Sequence, residues 1–216
     1  MERESKIDGS KRPNASPLLV LISAPSGGGK TTLQNELLKA RPEITRAVTC
    51  TTRDPRDGEK DGVDYYFLDA GSFLKRVQAG NFLEHATVFG NSYGVLKSEV
   101  LGKLRSGKDV LLSVDVQGTA TIRKCAEEDS ELKRALVTVF LTPDSIGTLE
   151  NRLRKRGKDS PAVIQKRLAV AKQEVAQWKN FDYLIISGSI PDDLRNMISI
   201  YEAEKMRPAR VVPPEF

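Results

Sequence analysis

The chain has 216 residues, of which 39% are hydrophobic and 29% charged, with a formal net charge of +5. That length suits one sizeable α/β domain with insertions or two small ones, and the composition excludes a disordered or fibrous chain. No apolar run approaches a membrane span, no apolar segment near Met1 reads as a signal peptide, and Cys50 and Cys125 form neither a disulfide framework nor a metal-ligand pattern, so a reducing cytoplasm with no membrane partner is expected.

In chain order, residues 1–16 are polar and read as a tail. Leu18–Ile22 is an unbroken apolar run, the pattern of a strand buried on both faces of a parallel sheet. It leads into Ser23-Ala24-Pro25-Ser26-Gly27-Gly28-Gly29-Lys30-Thr31-Thr32. The pattern G-x-x-x-x-G-K-[ST] is met except at its first position, where Ala24 stands for glycine. Backbone N–H groups of such a loop and the dipole of the helix after it cradle a phosphate anion. Lys30 can reach the β- and γ-phosphates of a nucleotide, and the Thr31 hydroxyl can ligate Mg²⁺. The helix runs Thr31–Ala40, with Pro42 beyond its end.

Ile44–Thr49 reads as a short strand, followed by a turn-rich stretch, Thr51 to Glu59, with Arg53 and Arg56 three apart. Tyr65–Leu68 is another short strand. Ser72 can cap a helix to Ala79, stopped by Gly80. Phe82–Phe89 carries Glu84 and the only histidine, His85, to which no role is assigned; Gly90–Gly94 reads as a turn. A helix over Val95–Leu104 follows, and residues 44–105 together read as an inserted subdomain, too long for a simple crossover. Val110–Val114, Ala135–Leu141 and Tyr183–Ser187 are buried strands; Gln117–Cys125, Ser145–Arg156, Ser160 to Trp178 and Asp192–Met206 are helical. Strands alternating with helices predict βαβ units on a parallel sheet. The last ten residues, with three prolines, are expected to be loose.

The net positive charge admits nucleic-acid binding. No basic run is interleaved with aromatics, so a phosphate pocket plus a solvated basic surface accounts for it, and no nucleic-acid partner is expected. Paired arginines suit a phosphate carrying two negative charges, although two arginines in a turn are also compatible with a solvated surface.

The series Thr52-Arg53-Asp54-Pro55-Arg56-Asp57-Gly58-Glu59, Phe82-x-Glu84, Gly90-Asn91-Ser92-Tyr93-Gly94 and Asp115-Val116-Gln117-Gly118 resembles the guanylate kinase family, whose T-T-R-x-P-R-x-G-E, F-x-E, G-N-x-Y-G and D-x-Q-G motifs stand in this order. The resemblance runs from about Leu18 to Met206. It implies an α/β P-loop fold of three layers with a parallel sheet core (17–43, 106–141, 177–206), a small α+β GMP-binding insert (44–105) and a helical lid (142–176). It implies transfer of the γ-phosphate of ATP to GMP, or dGMP, with Mg²⁺ bound alongside ATP. Arg53 and Arg56 would bind the GMP phosphate with Tyr65 and Tyr93. Glu84 would accept from guanine N1–H and N2–H₂, with Thr49 beside it in place of the usual serine. Asp115, after a buried strand, would lie near Mg²⁺ or the acceptor, the lesser alternative being a helix-capping aspartate. Lys30 and the lid arginines Arg152, Arg156 and Arg167 would neutralise the transferring phosphoryl; Arg154 and Lys155 read as solvated.

Four positions depart from the family: Ala24; Val95, where a hydroxyl usually touches guanine; Ser113; and Ser187-Gly188, where Asn-Asp is usual and the asparagine lies near adenine. The competing functions are a non-enzymatic module that binds a phosphorylated peptide with Arg53 and Arg56, a GTP-hydrolysing switch, and a kinase for another small acceptor. The intact Lys30, Thr31, Arg152 and Arg156 argue against the first. The lack of an N-K-x-D motif argues against the second.

Overall fold

The computed structural model describes residues 15–88, 90–157 and 159–211. Five strands form one fully parallel sheet: β1 (Leu19–Ser23), β2 (Ile44–Arg46), β7 (Asp109–Ser113), β8 (Leu136–Pro143) and β9 (Tyr183–Ser187), in the order β2-β7-β1-β8-β9. Four more form a second sheet: β3 (Thr49–Thr51), β4 (Tyr65–Phe67), β5 (Phe82–Val88) and β6 (Asn91–Leu96), ordered β4-β3-β6-β5.

The run before the phosphate loop explains the layering. Side chains alternate across a strand, so Val20 and Ile22 face one layer and Leu19 and Leu21 the other. Val20 and Ile22 pack with Leu33 and Leu37 of α1 (Lys30–Ala40) and with Met197 and Tyr201 of α8 (Ile190–Lys205). Leu19 and Leu21 pack with Val100 and Leu104 of α3 (Lys97–Arg105), with Ile122 and Ala126 of α4 (Val116–Glu128), and with Leu132 of α5 (Ser130–Ala135). Each of these β1 side chains is at most 1% exposed. At roughly 1.5–3 kcal/mol for each fully buried aliphatic side chain, these four contribute on the order of 6–12 kcal/mol before entropy costs. The fold is thus an α/β three-layer sandwich with the phosphate loop at the C-terminal end of its central strand, where ligands of such sheets bind.

The small sheet is backed by α2 (Ala70–Gln78), whose Phe73 stacks on Phe82 at 4.5 Å with Cys50 beside them. α6 (Ile146–Lys155) and α7 (Pro161–Val175) form a hairpin with its own core of Leu149, Leu153, Ile164, Leu168 and Ala171. Ser145 and Ser160 cap these two helices, as the sequence predicts for Ser160-Pro161.

Several expectations need correction. Ile44–Thr49 is two strands, not one: the chain leaves the large sheet at Arg46 and enters the small one at Thr49, with Ala47 and Val48 buried at the crossing. The boundary expected at residue 44 therefore falls inside the large sheet, and α3 packs on that sheet too. Asn91–Gly94 is strand rather than turn, because the hairpin reverses at Gly90 (φ +82) and needs no further turn residue. Strand β6 continues through Val95 and Leu96, so α3 begins two residues later than expected. Asp69, not Ser72, caps α2; its carboxylate accepts from the Ser72 N–H (2.8 Å) and hydroxyl (2.6 Å). The end of the chain is not loose through Val211. Arg210 is buried against Glu204 and donates to the carbonyls of Arg134 and Leu136, while its own carbonyl accepts from Ser16 N–H. Residues 1–14 and 212–216 of the two expected tails lie outside the described residues.

Gly94 shows why a glycine sits in β6. A Cβ there would stand 2.8 and 2.9 Å from the Phe82 ring and 3.0 Å from His85 Cβ. Phe82 is pinned by Phe73 and cannot yield. Gly94→Ala is expected to destabilise the protein by about 1–3 kcal/mol, the usual cost of overpacking a filled core. The urea midpoint checks this; an unchanged midpoint contradicts it.

Candidate active site

The phosphate loop owes its shape to two glycines with left-handed backbone, Gly27 (φ +92) and Gly29 (φ +102), a conformation side chains resist. Gly29 is the N-cap of α1 and offers no side chain, so the first-turn N–H groups face outward uncapped. Such an end is an anion site. Ala24 fits because its methyl is buried in the core, against the position a Gly28 Cβ would fill at 3.0 Å. Pro25 accepts from Gly28 N–H (2.8 Å), closing the turn. Ser23 is buried, and its hydroxyl has no partner among the described residues. Thr31 and Thr32 follow on the first turn, with Thr32 lining the groove described below.

Lys30 reaches across to the end of β7, where Nζ donates to the Val114 carbonyl at 3.1 Å. Burial lowers its pKa, while the negative charges of Asp115 and Glu174 oppose that shift. Asp115 caps α4, accepting from Gly118 N–H at 2.7 Å. The alternative foreseen for it, helix capping, is therefore real, but the capping aspartate also lies between the lysine and the second half of the site. The Cβ position of Gly118 is 3.3 Å from both Asp115 Oδ1 and Glu84 Oε2. Glu84 has its pKa pushed up to about 7, first by burial and then by Asp115.

Strand register assembles that second half. Thr49 pairs with Tyr65, Thr51 with Tyr93, and Glu84 with Val95. Since paired residues share a face and alternate residues do too, Thr49, Tyr65, Tyr93, Val95 and Glu84 all lie on one face of the small sheet. Cys50, Phe82 and Phe73 fill the opposite side, where His85 contacts both phenylalanine rings. Tyr65 and Tyr93 meet edge-on at 6.4 Å, and the Arg53 guanidinium lies over the Tyr65 ring at 5.5 Å. Glu59 holds Arg53 with both carboxylate oxygens (2.9 and 3.0 Å) and also accepts from Arg56 N–H (2.8 Å). The Arg56 side chain is exposed. Val95, flagged as a lost hydroxyl, is only 1% exposed and belongs to the core with Leu83 and Val114.

The α6–α7 hairpin docks on the phosphate loop. Leu149 and Leu153 meet the Cβ position of Gly27 at 3.1 and 3.0 Å. Arg152 donates to the Gly28 carbonyl (3.3 Å) and the Ser187 hydroxyl (3.1 Å). Arg167 donates to the Ser26 hydroxyl (3.2 Å) and pairs with Asp159. Arg156 and Lys155 line a groove of 330 Å³ that runs from Gly29 to Ser187 and Asp193. Lys155 and Arg154 are both exposed, as expected; Lys155 also lies at the rim of this groove, and Arg154 pairs with Glu150. Two residues escaped the sequence reading. Glu174 of α7 faces Lys30, and its Oε2 is buried with no partner among the described residues. Asp193 of α8 is 7% exposed and turned toward the groove. Nothing local marks either one; both read as ordinary acidic positions on amphipathic helices.

The guanylate kinase family model matches residues 16–204. The chain is 43% identical to the guanylate kinase of Coxiella burnetii over 189 residues, covering 88% of each chain. It is 39% identical to that of Maricaulis maris over 193 residues, covering 89% of this chain and 86% of the relative. The crystal structure of guanylate kinase from Anaplasma phagocytophilum superposes with a TM-score of 0.69 at 31% identity, covering 92% of this chain and 91% of that one. With these matches over nearly the whole chain, and with an arginine hairpin docked on a phosphate loop whose lysine shares Asp115 as a neighbour with Glu84 of the small sheet, the protein belongs to the guanylate kinase family.

Proposed function

We propose that the protein transfers the γ-phosphoryl group of ATP to GMP, giving ADP and GDP reversibly, with dGMP as a second acceptor, in the cytoplasm. The observation that supports this reading is the proximity of Asp115 to both Lys30 and Glu84, which links the phosphate loop to the sheet face that bears Glu84. Glu84 accepts from guanine N1–H and N2–H₂; adenine offers an acceptor at N1 instead. Thr49 lies on the same face. Arg53, Arg56, Tyr65 and Tyr93 take the acceptor phosphate.

An anionic oxygen of the GMP phosphate attacks the γ-phosphorus. The bond from that phosphorus to the β–γ bridging oxygen breaks, and ADP leaves with the electron pair. No covalent intermediate on the protein is needed, so catalysis is positioning and charge neutralisation by Lys30, Arg152, Arg156 and Arg167. The backbone from Ser23 to Thr32 holds the donor phosphates. The hairpin at 142–176 acts as the lid over the core, and 44–105 contains the acceptor module.

The residues also fit Mg²⁺. A magnesium ion arriving with ATP keeps several waters and needs only one or two protein oxygens. The Thr31 hydroxyl and the Asp115 oxygen not committed to Gly118 are the candidates. When bound, the ion draws charge from the β- and γ-phosphates.

The test is ADP formation from ATP and Mg²⁺ with GMP, dGMP, AMP, CMP or no acceptor. Turnover that depends on GMP or dGMP is expected. Acceptor-independent hydrolysis, or GMP binding without turnover, would reject the kinase reading in favour of a switch or a phosphate-binding module.

A further inference from the structure

The first turn of α8 contains two adjacent aspartates with different surroundings. Asp192 is on the surface, where it accepts from the Ser189 hydroxyl (2.7 Å) and from Arg195 (2.6 Å). These are ordinary capping and helix-pair contacts. Asp193 turns inward. It is 7% exposed, accepts from the Ser187 hydroxyl at 2.7 Å and the Gly188 N–H at 3.1 Å, and lines the nucleotide groove. A carboxylate buried at a groove wall needs compensation. The two donors it holds are neutral; the cation that balances it is Arg152, one hydroxyl away.

We infer that Asp193 and Ser187 form a relay that positions Arg152 over the phosphate loop. The inference rests on the reading of Arg152 as a ligand of the donor phosphates. A serine hydroxyl has one proton and can turn it toward any acceptor. Here the proton is committed to Asp193, at the shorter, charge-assisted distance. The lone pairs of Ser187 Oγ are then left facing Arg152 Nη2. Polarised by the carboxylate, the hydroxyl is a better acceptor than an unassisted one. The other guanidinium nitrogen, Nη1, is fixed on the Gly28 carbonyl. The arginine is thereby held at two points, one on the loop and one at the end of β9, with its remaining N–H donors free for phosphate. Without Asp193 the hydroxyl proton can swing toward the guanidinium, where it repels. Asp193 and Ser187 are therefore positioning residues, acting through Arg152, and Ser187 has a use of its own rather than being a weakened base contact.

The experiment compares wild type with Ser187→Ala, Ser187→Thr, Asp193→Asn and Arg152→Ala, and the first and third each combined with Arg152→Ala. Steady-state rates are measured with ATP varied at saturating GMP and the reverse, and affinity for a fluorescent ATP analogue is titrated without acceptor. Asp193→Asn keeps the side-chain shape, and Ser187→Thr keeps the hydroxyl. Loss of one charge-assisted hydrogen bond is worth about tenfold. Ser187→Ala removes that bond, and Asp193→Asn removes its charge and sets an amide donor against one of the two donors the carboxylate held, so each is expected to lower kcat/KM for ATP about tenfold and to leave KM for GMP within about twofold. Ser187→Thr restores most of the loss. In the Arg152→Ala background neither substitution changes ATP kinetics or analogue affinity further. A full tenfold loss in that background, an equal loss for both substrates, or wild-type constants for Ser187→Ala would each overturn the relay. The analogue titration reads the relay independently of turnover, so absence of GMP-dependent activity in the wild type rejects the proposed reaction and not this inference.

Discussion

Replacing Lys30 by methionine is expected to reduce kcat by about 10²–10³-fold or more, the usual loss when a preorganised charge aimed at the transition state is removed, while KM for ATP rises by less than about tenfold, since the phosphate cradle itself is backbone. The loop N–H groups and the Gly27 and Gly29 conformations that aim them do not depend on the lysine side chain. What Lys30 adds is a cation at the loop's inner end, flanked by the acidic groups Asp115 and Glu174. Among the described residues its ammonium is anchored by the Val114 carbonyl alone, leaving two of its three donors for the oxygens that gain charge during transfer. Methionine preserves most of the apolar stem that the burial of Lys30 requires, so the comparison isolates the charge. Initial rates at saturating GMP, with melting temperature as a control for folding, decide the matter. A kcat within tenfold of wild type would show that the lid arginines carry the transferring phosphoryl without the lysine.

The parts of this fold that the sequence reveals are those with local causes. The apolar run Leu18–Ile22 gives the central strand, Ser160-Pro161 starts a helix, and Tyr183–Ser187 has its observed bounds. The misread parts have causes distant in sequence. No glycine or proline marks the crossing at Ala47-Val48, because two buried apolar residues make the change of sheet. Turn-forming residues at Asn91–Gly94 belong to a strand, since Gly94 is required by the Phe82 ring twelve positions earlier. Arg210, among prolines, looks solvated until Glu204 and the Arg134 and Leu136 carbonyls are brought to it. The site follows the same rule. Motif order picks out Lys30, Arg53, Glu84 and Arg152, but Asp193 differs from Asp192 only in which way the helix turns, and Glu174 acquires meaning only when α7 is laid on the loop.

Glu84→Gln is expected to lower kcat/KM for GMP by about 10²–10³-fold, since two hydrogen bonds to a charged group are weakened and one guanine donor then faces an amide donor. AMP gains by the same change: a glutamine amide can donate to adenine N1 and accept from its amino group, so the GMP-to-AMP preference falls by more than the GMP loss alone. The pH dependence separates this from a general defect. With its carboxyl pKa near 7 in the free protein, Glu84 is about half protonated at neutrality. Affinity for GMP should therefore rise with pH up to about 8 and fall roughly tenfold per unit well below 7, with proton release on binding. The glutamine variant should keep only the slope from the second ionisation of the phosphate, near pH 6. Stability has the opposite sign. A carboxyl whose folded pKa is raised stabilises the fold most below its ordinary value of 4.5, and the contribution is lost as pH rises toward 7. The shift from 4.5 to about 7 makes the amount lost about 3.4 kcal/mol at ~1.36 kcal/mol per pH unit. At pH 8 without ligand, Glu84→Gln should thus melt above wild type, whereas GMP should raise the melting temperature of wild type and hardly that of the variant. A wild-type GMP affinity that is flat from pH 6 to 8 after correction for the phosphate, or a variant that melts below wild type at pH 8, would contradict a buried, charge-strained carboxylate as the reader of guanine.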